Sequence, residues 1–255
     1  MKIPNLTHGS FFMLGAYVAV SLIRWGFGFW TAAVLAGLAV AAFGGIIERL
    51  ILRRLAGAEL AQVLVTLGLS FMVADVCLMV WTGDPIQIGT PAGLRGVTSV
   101  AGVTFPTYRL AISIIAVIFA AALWALLDRT RLGAMIRAGV DDPEMARVAG
   151  IRVSRLFTIV FCLGAWLAGF AGVIGGPILS VYPGLDQEML PLALVVVILG
   201  GSGSLFGSLV GSFVVGFLYN FGQAMFPELA YVVLFLPMLL VLVVRPQGLF
   251  GRQAI

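Results

Sequence analysis

The stretch from residue 27 to residue 47 carries no charged side chain. Comparable runs recur at 60–81, which holds Asp75 alone, and at 110–127, 156–174, 204–226 and 229–244. In a bilayer no water is present to satisfy a backbone N–H or C=O, so a run of this kind must bond within itself as a helix. About 20 residues cross the hydrocarbon. The chain is therefore read as an all-α polytopic integral membrane protein, with about seven or eight transmembrane or half-membrane helices. Its composition agrees, with 61% hydrophobic and 10% charged residues.

Orientation follows from arginine. The segment 128–155 is the one long polar stretch, and it holds Arg129, Arg131, Arg137, Arg147, Arg152 and Arg155 of the fifteen basic residues. The positive-inside rule places it in the cytoplasm. The loop at 48–59, with Arg49, Arg53 and Arg54, and the tail, with Arg245 and Arg252, fall on the same side. Residues 82–109 and 175–188 are turn-rich and read as external loops, the first with a hairpin around residues 96–105.

Within 128–155 lies a helix signal. Asp142 suits an N-cap and Pro143 the first helical position. Glu144 complements the positive helix end, and Gly150 is a natural stop. Met145, Val148 and Ala149 fall at i, i+3, i+4 and form one apolar face. Two turns do not hold alone in water. That face lies on lipid or on the chain's own bundle, or it inserts into a groove on a soluble partner.

Other features narrow the chemistry. Lys2 is the only lysine and does not stand in a Gly-x4-Gly-Lys-Ser/Thr loop, so the chain holds no Walker A site. Cys77 and Cys162 both lie in apolar runs, without the spacing of metal ligands. His8 is the single histidine, which leaves little for Ser-His-Asp chemistry. Nucleic acid is not indicated, because the basic residues sit in loops rather than along one face.

Candidate path residues come from polar groups in apolar surroundings. Gln62, Thr66 and Ser70 share a helix face. Asp75 lies about 22 Å along its helix from the cytoplasmic end. A charge there costs roughly 2.5–3.5 kcal/mol, so it should face protein or a water-filled cavity. It can pair with a substrate ammonium, or it can serve a packing hydrogen bond or an interfacial position. Residues 11–23 form a run short of a full crossing, read as a broken helix starting inside the membrane, with Asn5, His8 and Gly9 lining its turn. Gly200, Gly201, Ser202 and Gly203 break a second long run. Beyond them Gly203, Gly207, Gly211 and Ser204, Ser208, Ser212 repeat every four residues, as do Gly164, Ala168 and Gly172, which suggests close helix packing. Gly9-Ser10-Phe11-Phe12 faintly echoes Gly203-Ser204-Leu205-Phe206, and paired broken segments point to a transport path.

Four stretches together resemble one family. N-L-T-H-G-S-F-F-M-L-G-A-Y at 5–17 is similar to the N-[FL]-[AT]-H-G motif of the branched-chain amino acid ABC-transporter permeases. R-A-G-V-D-D-P-E-M-A-R-V-A-G-I at 137–151 resembles their cytoplasmic loop, and L-G-G-S-G-S-L-F-G-S-L-V-G at 199–211 and R-P-Q-G-L-F-G at 245–251 also match. Glu144, Ala146 and Gly150 fit part of the E-A-A-x3-G coupling motif of ABC import permeases. Position 145 is Met where the motif has Ala, and Cys162-Leu163 stand in place of its downstream Leu-Pro. The family usually carries a further transmembrane helix ahead of the Asn5 stretch.

The resemblance implies a permease domain spanning 1–255 in a bacterial inner membrane, importing hydrophobic amino acids, with urea or short amides as alternatives on the same scaffold. It implies a second homologous permease, two ATP-binding subunits docked through Arg137, Asp141, Asp142, Glu144, Ala146 and Gly150, and an external substrate-binding protein. This chain itself is expected to bind no cofactor, with ATP and Mg held by the partners. An ATP-independent transporter or channel is the rival from another class. A membrane enzyme finds no metal cluster or nucleophile–base pair to support it.

Overall fold

The computed structural model describes residues 5–55, 57–100, 102–201, 203–245 and 247–251. Among the described residues ten α-helices follow one another: α1 Thr7–Arg24, α2 Phe29–Leu50, α3 Glu59–Trp81, α4 Thr107–Arg129, α5 Arg131–Asp141, α6 Pro143–Val148, α7 Val153–Leu179, α8 Leu185–Gly200, α9 Leu205–Met225 and α10 Ala230–Val244. A two-stranded antiparallel hairpin, β1 Val97–Val100 and β2 Val103–Pro106, precedes α4, with Val97 opposite Pro106. Among the described residues, six segments are long and apolar enough to cross a membrane; α1 and α8 are not among them. The chain is an all-α, multi-pass membrane protein.

Two compact units divide the chain. The first comprises Met1–Ala116 and Ala125–Gln187, the second Val117–Trp124 and Glu188–Ile255. In the first, α1, α2 and α7 pack together around Phe11, Val40, Ile47, Phe161 and Ala165. Their backbones approach closely because glycines line the contacts. A Cβ on Gly172 would strike the Phe12 carbonyl, and one on Gly15 would strike the Gly169 backbone. Along the α2–α7 seam, a Cβ on Gly37 would come within 2.9 Å of Trp166 Nε1, and one on Gly45 within 2.7 Å of Cys162 Sγ. The every-four-residue pattern at Gly164 and Gly172 is thus a packing ridge against α1.

In the second unit, Val195, Val215 and Leu234 form a small core between α8, α9 and α10. Gly207 and Gly211 pack on the backbone around Gly200. Ser204 caps α9 by accepting from Gly207 N–H, so the glycine–serine periodicity begins at a cap rather than within the helix. The 245–251 motif returns to the glycine break: Leu249 N–H donates to Leu199 O at 2.9 Å and Phe250 N–H to Gly200 O at 3.1 Å. Gly201 adopts φ +99° there and leaves no room for a side chain against Gln247 and Gly251. Ser202 lies outside the described residues.

Several boundaries differ from the sequence reading. The polar segment 128–155 contains two helices rather than one, because α5 folds back at once on the end of α4. Thr130 caps α5 at Gly133 N–H, and Gly133 lies against the Leu127 backbone too closely for any side chain. The external loop at 175–188 is shorter than expected. α7 runs on to Leu179 through Pro177, and α8 begins at Leu185, taking in Asp186 and Glu188. Glu48 belongs to the last turn of α2 and is 2% exposed, not part of a solvated loop.

If glycine sets the α1–α7 distance, Gly172→Leu lowers stability by about 1–3 kcal/mol, whereas Gly68→Leu, whose site on α3 is open, does not. Thermal unfolding of the two variants in detergent checks this.

Candidate functional site

Helix α6 is closed at both ends by its own sequence. Asp142 sits in extended backbone, φ −142° and ψ 95°, and its Oδ1 accepts from Glu144 N–H at 3.0 Å and Met145 N–H at 2.9 Å. At the other end Gly150, φ +82°, donates its N–H to Arg147 O, and Ile151 N–H reaches Ala146 O, both at 3.0 Å. That pair of bonds is a Schellman motif, which satisfies carbonyls a short helix would otherwise leave bare. Caps therefore supply what helix length cannot.

The faces of α6 divide cleanly. Ala146 is 4% exposed and turns inward, while Met145 is 63% and Val148 84% exposed. Ala149 is exposed as well. The apolar face read from the i, i+3, i+4 spacing is thus not used by the chain's own bundle. Glu144 and Asp141 are also exposed. Arg137 is placed differently: it donates to the Leu127 carbonyl and pairs with Asp128 at 3.3 Å, tying α5 to the end of α4. Beneath the loop lies a cavity of about 500 Å³ lined by Glu48, Arg53, Glu59, Asp141, Pro143 and Arg147, among others.

The candidate path residues fall into three places. Asn5, His8 and Gly9 lie where α1 begins, with Ser70 of α3 beside them and Thr66 one turn along α3 from Ser70. Asn5 Oδ1 accepts from the Thr7 N–H at 3.1 Å and the Thr7 hydroxyl at 2.6 Å, which starts the helix. Ser70 Oγ lies 3.4 Å from Leu6 O, so α1 starts beside the middle of α3, as the broken-helix reading expects. The His8 ring sits 5.8 Å from the rings of both Phe11 and Phe161. A Cβ on Gly164 would stand 3.0 Å from its Nε2. The hydroxyls of Thr66 and Ser70 are spent on backbone carbonyls of α3, at Val63 and Thr66.

Asp75 is elsewhere. It lies on the exposed face of α3 with Phe71, Met72 and Met79. Gly200, Gly201 and Gly203 belong to the second unit.

A further buried acid is one the sequence hid. Asp186 is 5% exposed, and its Oδ2 accepts the Ser10 hydroxyl at 3.1 Å across 176 positions of sequence. Its Oδ1 and the buried Tyr17 hydroxyl have no hydrogen-bond partner among the described residues. The turn-rich composition of 175–188 gave no sign of this. Glu48 was also missed, being read as part of the loop at 48–59, although its helical spacing with the buried Val40, Gly44 and Ile47 of α2 could have placed it inside.

These features describe a multi-pass membrane protein with an uncovered, capped helix, α6. The model of the family described as branched-chain amino acid transport system / permease component matches residues 1–242, and the chain belongs to that family. It is 29% identical to the high-affinity branched-chain amino acid transport system permease protein BraD of Pseudomonas aeruginosa, over 98% of this chain and 87% of that protein. It is 27% identical to the corresponding permease protein LivH of Escherichia coli, over 98% and 86%. The ribose import permease protein RbsC of Escherichia coli is 29% identical over 85% of this chain and 68% of its own length. No solved structure matches.

Removing the N-cap tests how α6 is held. Asp142→Ala costs the helix about 1 kcal/mol, so amide exchange at Glu144 and Met145 quickens roughly fivefold. Hydrogen-exchange mass spectrometry of the loop reads this directly.

Proposed function

We propose that the chain is the membrane permease of an ABC importer that passes branched-chain or other hydrophobic amino acids inward, driven by separate ATP-binding subunits that dock on α6. The carrying observation is the uncovered apolar face of Met145 and Val148 on a helix fixed at both caps. A rigid helix that offers apolar side chains to water fits a groove on a soluble partner. Glu144, Asp141 and the Gly150 turn flank that face. Arg137 supports it by bracing α5 rather than by contacting the partner.

The substrate class rests on the relatives. The branched-chain permeases align with almost the whole chain, whereas the ribose permease aligns with less of it. An external substrate-binding protein delivers the amino acid, and a second permease completes the membrane part. Asp75 supports that second subunit. A carboxylate on a lipid-facing helix surface costs roughly 2.5–3.5 kcal/mol, so the exposed face of α3 is covered by protein or borders water in the assembly. ATP and Mg belong to the docked subunits. An ATP-independent carrier would leave the capped apolar helix without a role.

Co-purification with the ATP-binding subunits is the test. The wild type retains them, and Met145→Glu, Val148→Glu and Gly150→Arg weaken retention by at least about tenfold while still inserting in the membrane. Equal retention by all four chains overturns the docking reading. Uptake of labelled leucine against labelled ribose by the assembled transporter then decides the substrate class.

A further inference from the structure

Three side chains at the cytoplasmic end of the first unit close a ring. Glu48, from the last turn of α2, has a side chain 3% exposed. Its Oε1 lies 3.6 Å from Arg53 Nε, in the 3₁₀ turn Leu52–Leu55, and its Oε2 accepts the Thr158 hydroxyl of α7 at 2.8 Å. Arg53 Nη2 donates to that same Thr158 oxygen at 2.6 Å and to the Ser154 carbonyl at 3.2 Å. Each polar group answers another: the carboxylate takes the hydroxyl proton, the hydroxyl lone pair takes the guanidinium, and the guanidinium neutralises the carboxylate.

Stability alone does not account for this arrangement. Glu48 is buried while the Arg53 side chain is 36% exposed, and such a partly screened ion pair is a weak stabilising device. What it fixes is geometry. Above the ring, the α2–α7 seam is glycine packed closely against Ala165, Cys162 and Trp166, which are van der Waals contacts. The ring adds directional bonds at the one end of that seam nearest α6.

The route from α6 to α2 also runs this way. The cavity beneath the loop lies between α6 and the ends of α2 and α3, with Pro143 and Arg147 on one side and Glu48, Glu59 and Gln62 on the other. The packing of α6 is chiefly on α5 and then on α7. α6 is joined to α7: Ile151 N–H bonds Ala146 O, Val153 N–H bonds Ile151 O, and Leu156 N–H bonds Arg152 O. Ser154 and Thr158 follow in the first turns of α7. A displacement of α6 enters α7 there and meets α2 at the ring.

We propose that Glu48, Arg53 and Thr158 form a clasp that makes α2 and α7 move together when α6 is displaced, and so act as positioning residues that couple ATP hydrolysis to transport. This rests on the reading of α6 as the docking helix. Without the clasp the ATP-binding subunits still dock and still hydrolyse, but α7 slips along α2 and less substrate moves.

The test uses the assembled transporter in liposomes, with ATP hydrolysis and leucine uptake measured on one preparation. Thr158→Val removes both hydroxyl bonds at nearly constant shape, and Thr158→Ser keeps them. Arg53→Lys keeps the charge and loses the fork, and it serves as the second variant where Thr158→Val does not assemble. Thr158→Val and Arg53→Lys are expected to retain the ATP-binding subunits and their hydrolysis while leucine moved per ATP falls about tenfold, the loss expected for charge-assisted bonds. Thr158→Ser restores the ratio. An unchanged ratio in either assembled variant, or a parallel fall in hydrolysis and uptake, overturns the clasp and leaves docking intact. Failure of the wild type to retain ATP-binding subunits is a different result and removes the docking reading itself.

Discussion

The contact of α7 with α1 is the constraint on which the first unit depends. At Gly172 a helix backbone rests on the Phe12 carbonyl, and at Gly15 the relation is reciprocal, with the Gly169 backbone in the place of a side chain. Lipid tails offer helices no hydrophobic incentive to associate, so close approach and its dispersion gain must supply it. Once α1 is held at that distance, His8 is carried into the space at Gly164, between Phe11 and Phe161. Ser10 is carried to Asp186 by the same packing. The α1 start, with its Asn5 turn, is thereby fixed beside the middle of α3.

α7 links this buried packing to the cytoplasmic face. It extends from Val153, immediately after the Gly150 turn, to Leu179 near the external bridge between Ile86 and Val181. At 27 residues it is long enough to cross a membrane. The contrast with α6 is instructive. α6 has two turns and survives only by its Asp142 cap, its Gly150 turn and the burial of Ala146, which leaves its other face free.

Much of this was legible in order along the chain. The long apolar runs gave the spanning helices to within a few residues, and Asp142, Pro143 and Gly150 gave α6 with both its ends. Those signals are local: a cap needs only its own side chain and the next three amides. The acids were not legible in the same way. Asp75 attracted notice because it interrupts an apolar run, yet it lies on the exposed face of α3. Asp186 sits among turn-formers, yet it is buried against Ser10. The difference is one of distance in sequence, since nothing near residue 186 records the presence of residue 10. Glu48 falls between the two cases. Its helical spacing with Val40, Gly44 and Ile47 marks it as inward-facing, while the arginines after it mimic a loop.

By itself the sequence determined the class of the protein, the membrane-spanning segments and the capped helix α6, and it set the orientation to expect. Each of these follows from hydropathy, charge asymmetry or a cap, and each is complete within a window of about 20 residues. Only the tertiary structure decided which polar groups are buried, which helix faces stay uncovered and which side chains meet across helices. Glu48, Arg53 and Thr158 become a unit because α2 and α7 lie side by side, and they lie side by side because glycines let them approach. No pattern in either helix alone contains that partnership.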